Sequence, residues 1–433
     1  MAEPLSKIAA ERGIKNFLIA FTDLFGMLRA KLVPAAAIDK MAEEGAGFAG
    51  FATWLDLGPA MPDLFARPDP STLIQLPWRR EIGWMAADLY MEGALVDQAP
   101  RTVLKRTLAQ SEGMGYSLKT GVECEFFLLT PDASQVADVL DAQSKPCYDQ
   151  QALMRRYDVI AEIMDAMLEL GWQPYQSDHE DANGQFEMNW EYDHALVTAD
   201  RHVFFKYMAK SIAEKHGLRA TFMPKPFLHL TGSGCHSHIS MWQGNQNVFS
   251  DPSGEAGLSS LAYHFLGGLL AHAGAITALT NPTINSYKRL CAPRTLSGAS
   301  WAPNAVSYTG NNRTHMVRIP DGGRFELRLA DGATNPYLLQ AGLLAAGLDG
   351  IAKQTSPGTR CDFDMYAEPD RGASRARLPL NLLDAIRAME GSSMLTERLG
   401  SSFVKAYSKL KMQEWMDFSR HLSEWERVNT LDC

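Results

Sequence analysis

Cysteine is scarce in this sequence, and its spacing matches no familiar cysteine motif. The six cysteines stand at positions 124, 147, 235, 291, 361 and 433, and no two of them form a CxxC pair. This scatter gives no support for a structural zinc site or a disulfide framework, and it suits a reducing compartment. The N-terminal stretch MAEPLSKIAAERGIKNF lacks the basic start and apolar core of a signal peptide. We therefore expect a cytoplasmic protein.

Long apolar runs and an excess of positive charge are also missing. No apolar run approaches the length of a membrane span, so we expect no membrane partner. The formal net charge is −9 and the isoelectric point is about 5.7, which argues against a nucleic-acid partner. The chain has 433 residues, 46% of them hydrophobic, and can therefore bury a sizeable core. This length suggests two or three domains, or one large domain with an appendage.

The order of the predicted elements indicates an α+β protein with two domains. Strand-like segments dominate the first hundred residues, at 14–22, 28–34 and 82–96, and Ala99–Pro100 is a plausible boundary. We predict a small β-rich N-terminal domain over residues 1–98 and a larger α+β domain over residues 99–433. Apolar residues at helical spacing predict helices at 5–12, 101–112, 150–170, 202–216, 259–279, 335–352 and 378–400.

The segment GVECEFFLL, residues 121–129, places two carboxylates in an apolar strand. Side chains two residues apart share one face of a strand, so Glu123 and Glu125 should point the same way, with Cα atoms roughly 6.5 Å apart. Two like charges beside an apolar wall are unfavourable unless something compensates them. Either these acids protect an exposed sheet edge, or they bind a cation.

Four other segments carry the same kind of chemistry. Their polar residues are Glu180 and Glu187 around an Asn-Gly turn, His236 and His238 behind a Gly-rich turn, Glu326 between Arg324 and Arg328, and Arg313 with Arg318. Taken singly, they can be solvated loop acids, hydrogen-bonded core histidines and a structural counter-ion. Taken together, five carboxylates and one imidazole suit Mg²⁺ or Mn²⁺. Clustered arginines imply an anionic substrate, and with metals and a Gly-rich turn they suggest phosphoryl transfer.

Longer stretches of the chain resemble the glutamine synthetase family. KPFLHLTGSGCHSHIS (225–240) is similar to that family's ATP-binding signature. NPTINSYKRL, NNRTHMVRIP, RFELRLADGATNPYL and GVECEFF match the same family in the same order. The resemblance implies a small β-grasp N-terminal domain and a large catalytic domain with a curved antiparallel sheet. It also implies a homo-oligomer of stacked hexameric rings, with each active site between one catalytic domain and a neighbour's N-terminal domain.

The resemblance also assigns roles to individual positions. Residues resembling the ligands of the metal nearest the substrate carboxylate are Glu125, Glu180 and Glu187. Residues resembling the ligands of the metal at the ATP phosphates are Glu123, His236 and Glu326. His238 and Ser240 would touch the nucleotide, and Gly232 would line the glutamate pocket. Arginines that would hold the glutamate α-carboxylate are Arg289 and Arg328. Arginines that would face the transferring phosphoryl group of ATP are Arg313, Arg318 and Arg324.

The implied reaction is a ligation that uses ATP and two or more Mg²⁺ or Mn²⁺ ions per site. The γ-carboxylate of L-glutamate takes the γ-phosphate of ATP, and an amine then displaces phosphate from γ-glutamyl phosphate. A catalytically inactive relative would be expected to lack metal ligands, whereas all six positions are filled here. A metallohydrolase would explain the carboxylates but not the arginines or the long signature.

The sequence departs from the family on the amine side. No Asp stands in GFAGFATW (47–54), and the flap CAPRTLSGASWAPNA (291–305) contains no acid. Trp301 and nearby aromatic residues predict an apolar amine pocket, where a methyl group gains on the order of 1 kcal/mol. We therefore predict methylamine as the amine, with ammonia as the alternative and a polyamine as a further one. The hypothesis for proton removal is Asp178 or Asp56.

Overall fold

The computed structural model describes residues 3–295 and 297–433. Two β-sheets and a set of packed helices account for most of this part of the chain. The strands of the first sheet are β1 (Asn16–Thr22), β2 (Leu28–Pro34), β3 (Ala46–Phe48), β4 (Leu64–Pro68), β5 (Ile74–Gln75), β6 (Ile82–Met91) and β7 (Ala94–Leu95). The strands of the second sheet are β8 (Ser117–Leu129), β9 (Pro174–His179), β10 (Gln185–Trp190), β11 (Asp193–His194), β12 (Arg219–Thr221), β13 (Cys235–Gln243), β14 (Gln246–Asn247), β15 (Tyr308–Thr309), β16 (Val317–Arg318) and β17 (Phe325–Leu327).

Most helices come from the second half of the chain. They are α1 (Leu5–Arg12), α2 (Ile38–Glu44), α3 (Pro100–Gly113), α4 (Gln150–Arg155), α5 (Tyr157–Glu169), α6 (Ala195–Lys215), α7 (Ser260–Ala271), α8 (Ala273–Thr280), α9 (Ile284–Leu290), α10 (Pro336–Lys353), α11 (Pro369–Ala373), α12 (Leu382–Glu390), α13 (Ser393–Leu399), α14 (Ser401–Ser419) and α15 (Glu424–Thr430). No single helix in the described residues is long and apolar enough to cross a membrane. The bent pair α7 and α8 meets that criterion only when the two are taken together.

The first sheet has the order β2-β1-β6-β4-β3. β1 pairs antiparallel with β2 and parallel with β6, which is the central pairing of a β-grasp arrangement. The second sheet follows the path β15-β16-β17-β13-β8-β10-β9 and is antiparallel except for the pair β15–β16. The predicted α+β class, with a β-grasp sheet and a curved catalytic sheet, is confirmed. The boundary near residue 98 stays a prediction.

Three of the predicted helices are broken in the structure. Residues 150–170 form α4 and α5 with a break at Arg156, whose guanidinium donates to the carbonyl of Ala137. Residues 259–279 form α7 and α8, which meet at 76°. There His272 forms a 2.8 Å contact with Asp349 of α10. Residues 378–400 contain α12 and α13 rather than one helix. The first two breaks occur where a side chain bonds to a distant segment, an interaction that local periodicity does not predict.

Helix α10 is buried among other helices of the core. Every residue of α10 from Pro336 to Gly350 is buried, and the helix contacts α3, α6, α7, α8 and α13. A Cβ at Gly268 of α7 would lie 2.1 Å from the carbonyl oxygen of Ala346, so glycine allows this close approach. Helices α3 and α6 contact β8, whose side chains alternate between this packed side and a face that carries polar groups.

Candidate functional site

The candidate site is built on β8 and its two neighbouring strands. Because successive side chains alternate, Glu123 and Glu125 of β8 share one face, as predicted. Strand register places His236 of β13 opposite Glu123, and Glu187 of β10 opposite Glu125. Glu326 of β17 lies opposite His238 of β13, which extends the same polar row outwards. Residues distant in sequence thus meet through strand pairing.

The first cluster combines Glu123, His236 and Glu326. Each offers one ligand atom, and the three atoms lie within 4.8 Å of one another. His236 Nδ1 is 2.9 Å from Glu123 and 3.7 Å from Glu326. His238 Nε2 approaches the other oxygen of Glu123 at 2.8 Å. The predicted ligand set for the phosphate-side metal is therefore brought together.

The second cluster gathers acids from β8, β10 and the turn after β9. Two overlapping groups have ligand atoms within 4.8 Å of one another: Glu125, Glu187 and His236, and Asp178, Glu180 and Glu187. The backbone N–H of Gly234 donates to Glu125 at 2.7 Å, and Asn189 donates to Glu187 at 2.9 Å. The predicted trio of Glu125, Glu180 and Glu187 thus converges, with Asp178 beside it.

The two clusters have opposite electrostatic character. Burial by itself disfavours the charged form of Glu123, but hydrogen bonds from His236 and His238 hold its pKa well below the usual value. Burial likewise disfavours the charged form of Glu326, but the positive charge of Arg328 outweighs this effect and the pKa of Glu326 falls to about 2. In the second cluster, Asp178, Glu180 and Glu187 form no ion pair with a lysine, arginine or histidine among the described residues, and Glu125 has only His236 at 3.9 Å.

Burial, followed by the neighbouring carboxylates, raises the pKa of Asp178, Glu180 and Glu187. The pKa values of Glu180 and Glu187 lie well above the usual range, and that of Asp178 rises to about 6. Asp178 Oδ1 and His236 Nε2 are buried and have no hydrogen-bond partner in residues 3–295 and 297–433. Uncompensated hard oxygen donors with one free imidazole nitrogen fit a divalent cation such as Mg²⁺ or Mn²⁺.

A glycine backs this position. A Cβ at Gly234 would lie 3.0 Å from Glu125 Oε1 and 3.0 Å from His236 Nε2, so a side chain would fill the space where these donors converge. Gly232 is equally constrained, because a Cβ there would lie 2.3 Å from the carbonyl oxygen of Pro224. The Gly-rich turn therefore admits ligands and close backbone packing at the start of β13.

A cavity of about 400 Å³ opens beside the first cluster. Its lining includes Glu123, His238, Ser240 and Arg324 from the predicted set. Four aromatic residues line it: Tyr175, Trp190, Tyr192 and Trp242. The rings of Tyr192 and Trp242 have centroids 6.4 Å apart and planes inclined by 26°. Such near-parallel rings suit the stacking of a planar base. The sequence analysis did not single out Tyr192 or Trp242.

The predicted arginines occupy three different environments. Arg318 and Arg328 both donate hydrogen bonds to Glu326, and the bond from Arg318 is 2.6 Å long. Both arginines therefore belong to the first cluster. Arg289 is buried and donates to the carbonyl oxygens of Leu329 and Arg328. The two others are more exposed: Arg324 pairs with Asp321 and contacts His238, while Arg313 lies at the surface between β15 and β16.

Asp181 is a site residue that the sequence analysis missed. Its Oδ2 atom accepts hydrogen bonds from Thr231 at 2.9 Å, Ser297 at 2.6 Å and the indole of Trp301 at 2.7 Å. The backbone N–H of Trp301 also donates to the hydroxyl of Tyr366 at 2.9 Å. Because Asp181 directly follows Glu180, these bonds fasten the flap to the second cluster. Adjacency to Glu180 was the only sequence signal for it.

Comparisons with known proteins agree with this geometry. Residues 97–430 match the family described as "Glutamine synthetase, catalytic domain". The chain belongs to the glutamine synthetase family. It is 62% identical to a glutamine synthetase of Rhizobium meliloti (strain 1021), with both chains fully covered. It is 41% identical to a glutamate–methylamine ligase of Methyloversatilis universalis, over 96% of each chain.

A solved structure agrees over the whole chain as well. A GmaS/ADP complex superposes with a TM-score of 0.97 at 62% identity and covers both chains fully. The family assignment made from the sequence is confirmed, and the chain is an ATP-dependent ligase of the glutamine synthetase type.

Proposed function

We propose that the chain joins an amine to the γ-carboxylate of L-glutamate using ATP, with ammonia as the amine. The observation that carries this proposal is the pair of carboxylate–imidazole clusters on one sheet face, beside a cavity with aromatic walls. One end of the face suits a nucleotide with its phosphates. The other end carries acids that attract a cationic amine. A ligase that activates a carboxylate with ATP needs both.

Each cluster is proposed to hold one Mg²⁺ or Mn²⁺ ion. Glu123, His236 and Glu326 would bind the ion at the ATP phosphates, and Glu125, Glu180 and Glu187 the ion near the glutamate γ-carboxylate. When bound, the ions offset the repulsion between this carboxylate and the triphosphate. Hydrogen bonds from Gly234 and Asn189 orient the second set of oxygens before any ligand arrives.

The protein's own groups are proposed to bind and orient the substrates. His238 and Ser240 contact the nucleotide, and Arg313, Arg318 and Arg324 face the transferring phosphoryl group. Gly232, Arg289 and Arg328 form the glutamate pocket, in which the guanidinium groups bind the α-carboxylate. The positive charge of Arg313, Arg318 and Arg324 would compensate the γ-phosphoryl oxygens as γ-glutamyl phosphate forms.

Asp178 is the proposed base that takes a proton from the amine. It lies opposite Glu187 in the sheet, and its unpartnered Oδ1 makes it free to accept a proton. With a pKa raised to about 6 by burial and by neighbouring acids, it is a stronger base than an ordinary aspartate. Asp56, the other hypothesis, forms a 2.6 Å ion pair with Lys409.

The identity of the amine rests on two opposing observations. The sequence predicts methylamine, because the flap has no acid and contributes Trp301. The relatives at 62% and 61% identity are glutamine synthetases, whereas the methylamine ligase is 41% identical. We therefore place ammonia first and keep methylamine as the second candidate, favoured by the flap composition.

One experiment distinguishes the two. ADP release by the purified protein is measured with ammonia, methylamine or ethylamine at saturating L-glutamate, ATP and Mg²⁺ or Mn²⁺. We expect ADP release only when all substrates are present, with the highest kcat/KM for ammonia. A higher kcat/KM for methylamine would reinstate the prediction from the flap. Release of ADP without an amine would contradict a ligase.

The domain division near residue 98 and a stacked hexameric assembly are also proposals. Exposed Phe51, Trp54 and Met61 support the assembly, because an apolar patch on the N-terminal part suits contact with a neighbour. α15 adds Trp425 and Val428, both about 70% exposed, which suit the same kind of contact. Light scattering of the purified protein tests this, and a monomer at micromolar concentration would refute it. A cytoplasmic location stays a prediction from the sequence.

A further inference from the structure

A second cluster of metal-binding side chains lies on the opposite face of the same two strands. Cys124 stands between Glu123 and Glu125, and alternation turns it away from the carboxylates. Cys235 of β13 lies directly opposite Cys124 in the strand register. Two thiols far apart in sequence thus meet beneath the proposed catalytic site.

A histidine from α6 completes this cluster. One ligand atom each from Cys124, Cys235 and His202 lies within 4.8 Å of the other two, and all three residues are about 1% exposed. His202 Nδ1 has no hydrogen-bond partner in the described part of the chain, although it is fully enclosed. Burial lowers the pKa of His202 well below its usual value, so the ring is neutral, which is the form that binds metals.

The donor set selects a different metal from the carboxylate face. Thiolate and imidazole ligands prefer Zn²⁺ or Cu⁺, whereas Mg²⁺ and Mn²⁺ prefer oxygen. Ligands at about 2.0–2.3 Å around one zinc ion lie about 3.4–3.8 Å apart. Separations of at most 4.8 Å therefore exceed the spacing of zinc ligands by no more than about 1.0–1.4 Å.

We propose that Cys124, Cys235 and His202 form a buried Zn²⁺ site that fastens β8 to β13 and to α6. The ion replaces the two thiol protons, which pass to solvent, so two thiolates balance its charge. All three side chains are about 1% exposed, so no substrate can reach the ion and its proposed role is structural; they supply three of the four positions of a tetrahedral zinc ion. It fixes the spacing of the strands that carry Glu123, Glu125 and His236 on the other face.

Metal analysis of the full-length protein tests the proposal. Protein produced with added zinc is treated with EDTA to remove exchangeable ions, and its metal content is then measured. We expect one zinc ion per chain in the wild type and in Cys361→Ser, a buried cysteine outside the cluster. We expect no retained zinc in Cys235→Ser. Copper in place of zinc, or no retained metal in the wild type, would overturn the assignment to zinc.

A spectroscopic readout works even if Cys235→Ser fails to fold. Protein produced with cobalt in place of zinc should show a thiolate-to-cobalt charge-transfer band, which the carboxylate clusters cannot give. Absence of this band in cobalt-containing wild type would overturn the proposal. So would a Cys124–Cys235 disulfide detected by mass spectrometry after alkylation, because it would leave no thiolates to bind metal.

Discussion

Glu326 offers the sharpest test of the first cluster, because its charge is compensated on both sides. Its two oxygens accept from Arg318 and Arg328, and the carboxyl is fully buried. The pKa falls from an ordinary 4.5 to about 2. At about 1.4 kcal/mol for each pKa unit, this difference corresponds to about 3 kcal/mol in favour of the charged form. Glu326→Gln keeps the shape and removes that charge.

The variant should therefore be less stable and bind metal less tightly. Because the pKa of Glu326 is held low, its contribution is fully present at pH 7 and is lost only as pH falls from about 4.5 towards 2. We expect the free energy of unfolding of the metal-free protein to fall by about 3 kcal/mol at pH 7. The affinity for Mn²⁺ in the presence of ATP should fall by more than about tenfold, because even an outer-shell partner is worth that much.

Denaturant unfolding and calorimetric titration with Mn²⁺ measure the two effects. Glu255→Gln is the matched control, because Glu255 pairs with Arg360 at 2.8 Å but is exposed. Such a surface pair contributes at most about 1 kcal/mol, and its loss should leave Mn²⁺ affinity unchanged. If Glu326→Gln matched the control in both measurements, the first cluster would not be a compensated metal site.

Three further predictions concern the second cluster and the flap. Asp178→Asn should lower turnover by a factor of about 10²–10⁴, and kcat/KM for the amine should no longer rise as pH increases through about 6. Unchanged turnover at saturating amine would exclude Asp178 as the base. Because burial raises the pKa of Glu180 and Glu187 well above 4.5, Mn²⁺ should displace protons and bind more tightly as pH rises above that value. Calorimetry in buffers of different ionisation heat would detect this proton release. Trp301→Phe removes one hydrogen-bond donor to Asp181. Loss of one such bond should accelerate amide hydrogen exchange in the flap by about 3- to 10-fold. Exchange at the wild-type rate would show that this bond does not hold the flap.

The polar face of the second sheet was predictable from the sequence because strand geometry fixes it. Alternation alone places Glu123 and Glu125 on one face, and the structure agrees. Pairing then brings them to His236 and Glu187, which the family resemblance identified through motif order. Alternation could not predict that the pKa values of the acids are lowered in the first cluster and raised in the second, because this difference depends on which acids contact His238 and the arginines.

The missed features all depend on contacts between segments far apart in sequence. Asp181 looks like a solvated loop acid until Thr231, Ser297 and Trp301 are seen to donate to it. The break between α7 and α8 coincides with the contact from His272 to Asp349 of α10, although the sequence there is periodic throughout. Local propensity is a weak guide at such points, because tertiary contacts override it.

The two faces of β8 show why a spacing rule says less about cysteine than about glutamate in this chain. A rule such as CxxC detects ligands that lie within one turn or loop, but adjacent strands bring residues together at any sequence separation. The stretch Glu123–Cys124–Glu125 therefore presents hard oxygen donors to one side and a soft sulfur donor to the other. β13 repeats this arrangement with Cys235 and His236, in register with Cys124 and Glu123. One pair of strands can thus separate two kinds of metal chemistry across the thickness of a single sheet.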